Sequence, residues 1–118
     1  MGSNTEGQLG IGDHTIKTKQ APVLIEPIVA FRPRKISAGA YHSACIMQNG
    51  ELYTWGRGIE GALGIAENST KYEPHRVNYN EVLLPIITQV SAGADHTLSL
   101  DENGRVYAFG NNSKYDFA

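Results

Sequence analysis

The stretch Ser37-Ala-Gly-Ala-Tyr-His42 decides the fold, because the chain repeats it as Ser91-Ala-Gly-Ala-Asp-His96, 54 residues further on (91 − 37 = 54). Over residues 36–56, nine of twenty-one positions hold the same amino acid one period later, whereas shared composition alone would give about one or two. A period of about 50 residues is typical of repeat architectures, in which each repeat is one structural unit. Two copies of such a unit are therefore expected in this chain.

The same offset sets the boundaries of the units. Residues 7–10, Gly-Gln-Leu-Gly, return as Gly-Ala-Leu-Gly at 61–64. We therefore predict that residues 1–118 form two repeats, about 2–55 and 56–109, followed by the start of a third at 110–118.

Alternating apolar residues indicate short β-strands in each unit. His42, Ala44 and Ile46 fall on one face of a strand, and we expect this face to be buried in both copies. Asn49-Gly50 then favours a two-residue hairpin turn, so a second strand is predicted to return at 51–55. The equivalent positions in the second copy are His96, Leu98 and Leu100, then Asn103-Gly104 and 105–109.

Two further strands are predicted in each unit, one at 34–37 and 88–91 and one near 22–25 and 75–78. Three or four short antiparallel strands in about 50 residues are typical of a propeller blade. The predicted fold class is all-β, with about two antiparallel four-stranded β-propeller blades of an incomplete or self-assembled propeller. Two blades cannot close a ring of about four to eight. We therefore expect either a piece of a longer array or a homo-oligomer that associates head to tail.

Three motifs in fixed order, at 2–10, 37–43 and 50–56, resemble the regulator of chromosome condensation repeat family. The resemblance covers nearly the whole chain except the variable connectors at 12–35 and 66–88. It implies a propeller of usually about seven blades. Members of this family include a nuclear exchange factor for the small GTPase Ran, domains of giant ubiquitin ligases, a plant ultraviolet receptor and bacterial protein inhibitors. The resemblance therefore implies the fold more closely than the function.

Gly56, Gly58 and Gly61 have the G-x-G-x-x-G spacing of a dinucleotide-binding loop. That motif requires a following helix, and the residues after 64 lack the helical spacing of apolar residues. The earlier copy has Asn4 in place of the middle glycine. Since Gly and Asn share a tolerance of positive φ, we predict a left-handed turn residue at this position and no bound nucleotide cofactor.

Composition argues against several classes of partner. A formal net charge of −2, from 10 basic and 12 acidic residues, argues against a broad surface that binds nucleic acid. The sequence contains no run of about 18 apolar residues, so it predicts no membrane span, and no membrane partner is expected. Cys45 is the single cysteine and cannot form an internal disulfide, which favours the cytoplasm or the nucleus.

The recurring histidines and aromatic residues are interpreted as structural. A histidine present in every copy, as His42 and His96 are, indicates a buried hydrogen-bonding group that joins strands better than it indicates a catalytic residue. Trp55 and Phe109 recur in the same way and fit packing within blades better than base stacking. The four histidines lack the close spacing of metal ligands. We therefore predict no catalytic residue, no cofactor and no metal site.

Function is expected where the copies differ, because shared positions specify the blade. Tyr41 in the first copy stands opposite Asp95 in the second, and Arg57 stands where the other copies have Ser3 and Asn111. We predict that Tyr41, Arg57 and Asp95 contact a partner, the alternative being ordinary exposed loop residues. The leading hypothesis is a non-enzymatic protein-interaction module. The alternative is part of a guanine-nucleotide exchange factor for a Ran-like small GTPase, with Asp95 as a contact to the GTPase.

Overall fold

The computed structural model describes residues 1–79 and 85–111, and within them the regular elements are short β-strands and one 3-10 helix. The 3-10 helix spans Glu26–Phe31. The strands are β1 (Gly2–Ser3), β2 (Thr18–Lys19), β3 (Pro33–Ala38), β4 (His42–Met47), β5 (Leu52–Gly56), β6 (Lys71–Arg76), β7 (Ile87–Ala92), β8 (His96–Asp101) and β9 (Val106–Gly110).

These strands form three antiparallel sheets in the order β1-β2, β3-β4-β5-β6 and β7-β8-β9. The four-stranded sheet is a complete propeller blade, and we call it the central blade. We call the β7-β8-β9 sheet the second blade. β1 and β2 lie one period before the end of β5 and the middle of β6, so they correspond to the outer part of a preceding blade. The all-β propeller prediction is confirmed.

The central blade does not coincide with either sequence repeat. It runs from residue 33 to residue 76, so its first three strands come from the repeat at 2–55 and β6 comes from the repeat at 56–109. Each sequence repeat therefore contributes to two consecutive sheets.

The prediction of the fourth strand was wrong in position. Residues 22–25 are not a strand, and in the other copy the strand lies at β6, overlapping the predicted 75–78 only at its end. Pro74 lies inside β6 and has no N–H to donate, which argues against a strand in a sheet interior. β6 is at the edge of its sheet and its pairing with β5 is irregular, so the missing donor is tolerated there.

Both faces of the central blade are buried. Ala44, Ile46 and Leu52 pack against the second blade, and Cys45 and Trp55 pack on the opposite face together with the 3-10 helix. The prediction of a buried His42 face is confirmed in this blade, since His42, Ala44 and Ile46 are at most 1% exposed.

The second blade departs from that prediction. His96, Leu98 and Leu100 are only half-buried, whereas Thr97 and Ser99 on the opposite face are buried. The buried face is the one that contacts the central blade, because a blade buries whichever face meets a neighbour.

The recurring aromatic residues pack against glycines of the preceding turn. A Cβ on Gly10 would lie 2.6 Å from Trp55 Nε1, and one on Gly64 would lie 2.7 Å from the ring of Phe109. Trp55 Nε1 also donates a hydrogen bond to the Gln8 carbonyl at 2.8 Å. The interpretation of these aromatics as packing residues agrees with these contacts.

The interpretation of Gly58 as a left-handed residue was wrong. Among described residues, Gly58 and Asn4 are both absent from those with positive φ. A Cβ on Gly58 would collide with the Ser69 carbonyl oxygen, so close backbone approach explains this glycine. Asn4 is fully buried, and its amide donates to the carbonyls of Asp13 and Ile16, at 3.2 and 2.8 Å. Residues 65–70 contain no helix, so the geometry of a dinucleotide-binding loop is not formed there.

Candidate partner-binding rim

The loops that precede β4 and β8 lie at one end of the blades, and they carry Tyr41 and Asp95. Arg57 directly follows β5, which pairs with β4 so that Gly56 faces His42. The backbone N–H of Arg57 donates to the Tyr41 carbonyl at 2.9 Å, which holds the two residues side by side. The equivalent bond in the second blade joins the Asn111 N–H to the Asp95 carbonyl, also at 2.9 Å.

The side chains of Tyr41 and Arg57 contact one another. The Arg57 guanidinium carbon lies 5.5 Å from the centre of the Tyr41 ring, within the range of a cation–π contact. Arg57 Nη2 also forms an ion pair with Glu60 Oε1 at 2.9 Å, and the two charged side chains are 28% and 24% exposed. Tyr41 itself is 43% exposed, so a partner can reach this rigid pair.

Negative charges act on the guanidinium. The hydrogen bond that Arg57 donates to Glu60 raises the pKa of Arg57, and the negative charges of Glu60, Glu6 and Asp95 act in the same direction against desolvation. Asp95 is therefore electrostatically coupled to Arg57 although it lies in the next blade. We call Tyr41, Arg57, Glu60 and Asp95 the rim cluster.

Of the three residues predicted from the sequence, Tyr41 and Arg57 are thus in contact, and Asp95 acts on Arg57 through its charge. The structure adds Glu60 and Glu6, which the sequence analysis did not select. These two glutamates lie one period apart (60 − 6 = 54), in the turn that carries the middle glycine of the motif. Their recurrence beside the variable Arg57 was a signal that could have identified them.

His42 lies just inside the rim and joins the two blades. Its Nε2 is 2.8 Å from Thr97 Oγ1. Thr97 donates its one hydroxyl hydrogen to the Ala62 carbonyl at 2.7 Å, so it accepts the bond from His42 Nε2. Burial lowers the pKa of His42, and the charge of His96 acts in the same direction. The backbone hydrogen bond with His96 and the charge of Asp95 oppose this change without cancelling it, so a neutral imidazole is favoured. The interpretation of His42 as a structural hydrogen-bonding residue agrees with these contacts.

Other candidate chemistry is sparse over residues 1–79 and 85–111. No group of three or more His, Cys, Asp or Glu side chains in those ranges could hold a metal ion. Cys45 is buried, and burial raises the pKa of its thiol, which disfavours the reactive thiolate. The helical structure in the same ranges includes nothing long and apolar enough to span a membrane.

Comparison with known proteins identifies the family. A family model described as the regulator of chromosome condensation (RCC1) repeat matches residues 1–46 and 49–100, and a second RCC1 repeat model matches 34–62 and 87–115. The chain belongs to the RCC1 repeat family.

Several relatives are similar to nearly the whole chain. The Xenopus laevis regulator of chromosome condensation is 37% identical over an alignment of 114 residues that covers 93% of this chain and 25% of that protein. The Arabidopsis thaliana ultraviolet-B receptor UVR8 is 33% identical over 92% of this chain and 24% of its own length. The chain therefore spans about a quarter of these relatives.

A solved structure agrees with the fold. The crystal structure of Prp20p from Saccharomyces cerevisiae, reported with its binding properties to Gsp1p and histones, superposes with a TM-score of 0.71. That similarity is at 25% identity and covers 95% of this chain and 28% of Prp20p.

Proposed function

We propose that this chain is a non-enzymatic protein-binding part of a propeller, and that it contacts its partner through the rim cluster. The observation that carries the proposal is the stacking of Arg57 on Tyr41 beside Asp95. These are the positions where the repeats differ, and they converge in space although they lie in different loops.

The chemistry of the cluster supports binding. Tyrosine and arginine are enriched among residues that dominate binding energy at protein interfaces. Arg57 and Tyr41 are already held by a backbone hydrogen bond and an ion pair, so little conformational entropy is lost when a partner binds.

The same chemistry argues for a non-enzymatic role. An arginine whose pKa is raised above its usual value keeps its proton at all accessible pH values and cannot serve as a general acid or base. The cytoplasm or the nucleus is the proposed site of action, since the single Cys45 is a buried thiol and forms no internal disulfide.

The second candidate is a role in guanine-nucleotide exchange on a Ran-like small GTPase. It is supported by the similarity to the regulator of chromosome condensation and to Prp20p, whose crystal structure was reported together with its binding properties to Gsp1p. The acidic groups of the rim cluster, Glu60 and Asp95, would contact a basic surface of the GTPase. The chain spans about a quarter of those relatives, so exchange is proposed only for a longer array that contains this segment.

The rim is tested by measuring the dissociation constants of this chain for a Ran-like GTPase and for core histones by calorimetry. Tyr41→Ala and Arg57→Ala are each expected to weaken binding of at least one probe by about tenfold or more. Ser3→Ala alters the position equivalent to Arg57 in β1 and should change affinity less than about twofold. Equal affinities for all four proteins, or binding of neither probe, would overturn the rim proposal.

Exchange requires a separate assay, the release of fluorescent GDP from the GTPase in the presence of a longer propeller that contains this segment. Faster release that is reduced by Asp95→Ala would support the second candidate. Binding without any acceleration would discard exchange and retain the binding module.

A further inference from the structure

Each blade contains an Asn-Gly hairpin turn, Asn49-Gly50 between β4 and β5 and Asn103-Gly104 between β8 and β9. An asparagine that precedes glycine loses its side-chain ammonia most readily, because glycine has no Cβ to hinder the approach of its backbone nitrogen to the side chain. The two sites lie 54 residues apart (103 − 49 = 54) and offer the same reacting groups. Their surroundings therefore decide whether they react alike.

Solvent access and the backbone of the turn are similar at the two sites. Both asparagines are exposed, and Asn49 is exposed even though the second blade packs on its hairpin. The two glycines have nearly the same φ, 88° and 85°. The Gly50 N–H donates to the Met47 carbonyl at 3.0 Å. The Gly104 N–H donates to the Asp101 carbonyl at 3.2 Å. These features alone would predict similar reactivity.

The residue that follows the glycine differs, and in the central blade it holds the asparagine side chain. Asn49 Nδ2 donates to Glu51 Oε1 at 2.7 Å, and the Glu51 N–H donates to Asn49 Oδ1 at 3.0 Å. Glu51 also forms an ion pair with Arg76, whose Nη1 lies 2.8 Å from Glu51 Oε2. Both ends of the Asn49 amide are thereby fixed. Its Cγ cannot turn onto the Gly50 nitrogen without breaking these two hydrogen bonds.

In the second blade the equivalent of Glu51 is Arg105, which contacts a different group. Arg105 Nε donates to Asp101 Oδ2 at 2.8 Å. An arginine side chain has no acceptor for an asparagine amide. Within residues 1–79 and 85–111, the Asn103 side chain forms no hydrogen bond, although its backbone N–H donates to Asp101 Oδ1 at 2.9 Å. The Asn103 side chain can therefore rotate toward the Gly104 nitrogen at lower cost.

We propose that Asn103 is a site of spontaneous deamidation in the folded chain, and that Glu51 protects Asn49 from the same reaction. The Gly104 nitrogen loses its proton to water and attacks Cγ of Asn103, so that a new C–N bond forms. The bond from Cγ to Nδ2 breaks, and ammonia leaves with a proton taken from water. Water then opens the cyclic imide at either carbonyl and leaves aspartate or isoaspartate at position 103. Water is the only co-reactant, and nothing is oxidised or reduced.

The reaction also affects a buried carboxylate. Asp101 is 2% exposed, and its Oδ1 closes the turn by accepting hydrogen bonds from the N–H groups of Asn103 and Arg105. Isoaspartate lengthens the backbone between these two N–H groups, and either product adds a negative charge near Asp101. The modified chain is therefore expected to unfold at a lower denaturant concentration than the unmodified chain.

The test is incubation of the folded chain at mildly alkaline pH, followed by peptide mapping with mass spectrometry, which detects replacement of each side-chain amide by a carboxyl group. Asn103 is expected to react about three- to tenfold faster than Asn49, the effect of breaking a hydrogen bond to a charged group. In concentrated urea, where Glu51 no longer holds Asn49, the two sites should react at similar rates. No reaction at Asn103, equal rates in the folded chain, or a difference that persists in urea would overturn the proposal.

Substitutions at Glu51 test the protection directly. Glu51→Ala removes the acceptor and should raise the rate at Asn49 to near that of Asn103, whereas Glu51→Gln keeps an acceptor oxygen and should retain most of the protection. Arg76→Ala is the matched control, because it removes the ion pair with Glu51 and leaves both hydrogen bonds of Asn49 in place. Circular dichroism verifies the fold of each variant. An unchanged rate at Asn49 in Glu51→Ala, or an equal rise in Arg76→Ala, would overturn the protective role of Glu51.

Discussion

Strands β4 and β8 are equivalent in sequence, yet they are buried on opposite faces. β4 buries His42, Ala44 and Ile46 against the second blade, whereas β8 buries Thr97 and Ser99 and leaves Leu98 and Leu100 only half-buried. β4 is also buried on both of its faces, because Cys45 and Met47 on its other face are buried as well. In a stacked repeat, the neighbour of a strand determines which residues stabilise the fold, and the alternation of residues shows only which side chains share a face.

The largest expected effect on stability comes from substitutions at one pair of equivalent positions, Leu52 and Val106. Leu52→Ala removes a fully buried side chain from the contact between the blades and should lower the free energy of unfolding by about 2–5 kcal/mol. Val106→Ala, at the exposed equivalent, should change it by less than about 0.5 kcal/mol in the monomer. Urea unfolding at low protein concentration measures both. Equal losses of stability would mean that Leu52 and Val106 stabilise the fold to the same extent, although Leu52 is buried and Val106 is exposed.

A smaller effect is expected from the titration of the buried histidine. Burial lowers the folded-state pKa of His42 below its usual value of 6.5, so below that pH the unfolded chain binds the proton more readily than the folded chain. Stability is therefore expected to fall as the pH drops from about 6.5 through the folded-state pKa, and to change little for this reason at higher pH.

The measurement is thermal unfolding between pH 7.5 and 5, with His42→Asn and His96→Asn compared. His42→Asn should remove the dependence at some cost in stability at neutral pH, because Thr97 loses its partner. His96→Asn removes a charge that also lowers the pKa of His42, so it should reduce the dependence without abolishing it. If the slope survives His42→Asn, another group is responsible.

The smallest effect on stability is expected at the rim. Arg57→Ala removes a partly exposed ion pair with Glu60 and a cation–π contact with Tyr41, and because exposed ion pairs contribute little to stability, the midpoint of unfolding should shift only slightly. Chemical denaturation compared with Ser3→Ala would measure the shift. A loss of stability as large as that of Leu52→Ala would assign Arg57 to the fold and weaken its assignment to partner binding.

Local sequence was sufficient to predict the central hairpin. Alternation through His42, Ala44 and Ile46 together with Asn49-Gly50 predicted β4, its turn and β5 within one or two residues at each end. Both signals come from neighbouring residues in the chain, and hairpin contacts are equally local.

Signals that depend on distant residues were not available from the sequence. In the sequence alone, Pro74 argues against a strand. Only the order of the strands shows that β6 lies at an edge of its sheet, where proline is tolerated. The space beside Gly58 is limited by the carbonyl of Ser69, across the turn, so the sequence suggested a backbone angle where the structure shows a close contact.

The rim cluster was only partly predictable, because some of its contacts join residues that are distant in the sequence. Tyr41, Arg57 and Asp95 could be selected because they break the repeat. The stacking of Arg57 on Tyr41, and the approach of Asp95 from the next blade, depend on how strands pair and how blades stack.

The offset between the central blade and the sequence repeat has a consequence for recombination between repeats. A crossover at residue 56, where the sequence repeat begins, would take β5 from one parent and β6 from the other. The hydrogen bonds between these two strands would then join residues of different parents. A crossover at residue 32, before β3, or at residue 86, before β7, would exchange whole sheets. Chimaeras joined at the second kind of position keep every sheet within one parental sequence, so shuffled propellers of this family should survive best when joined there.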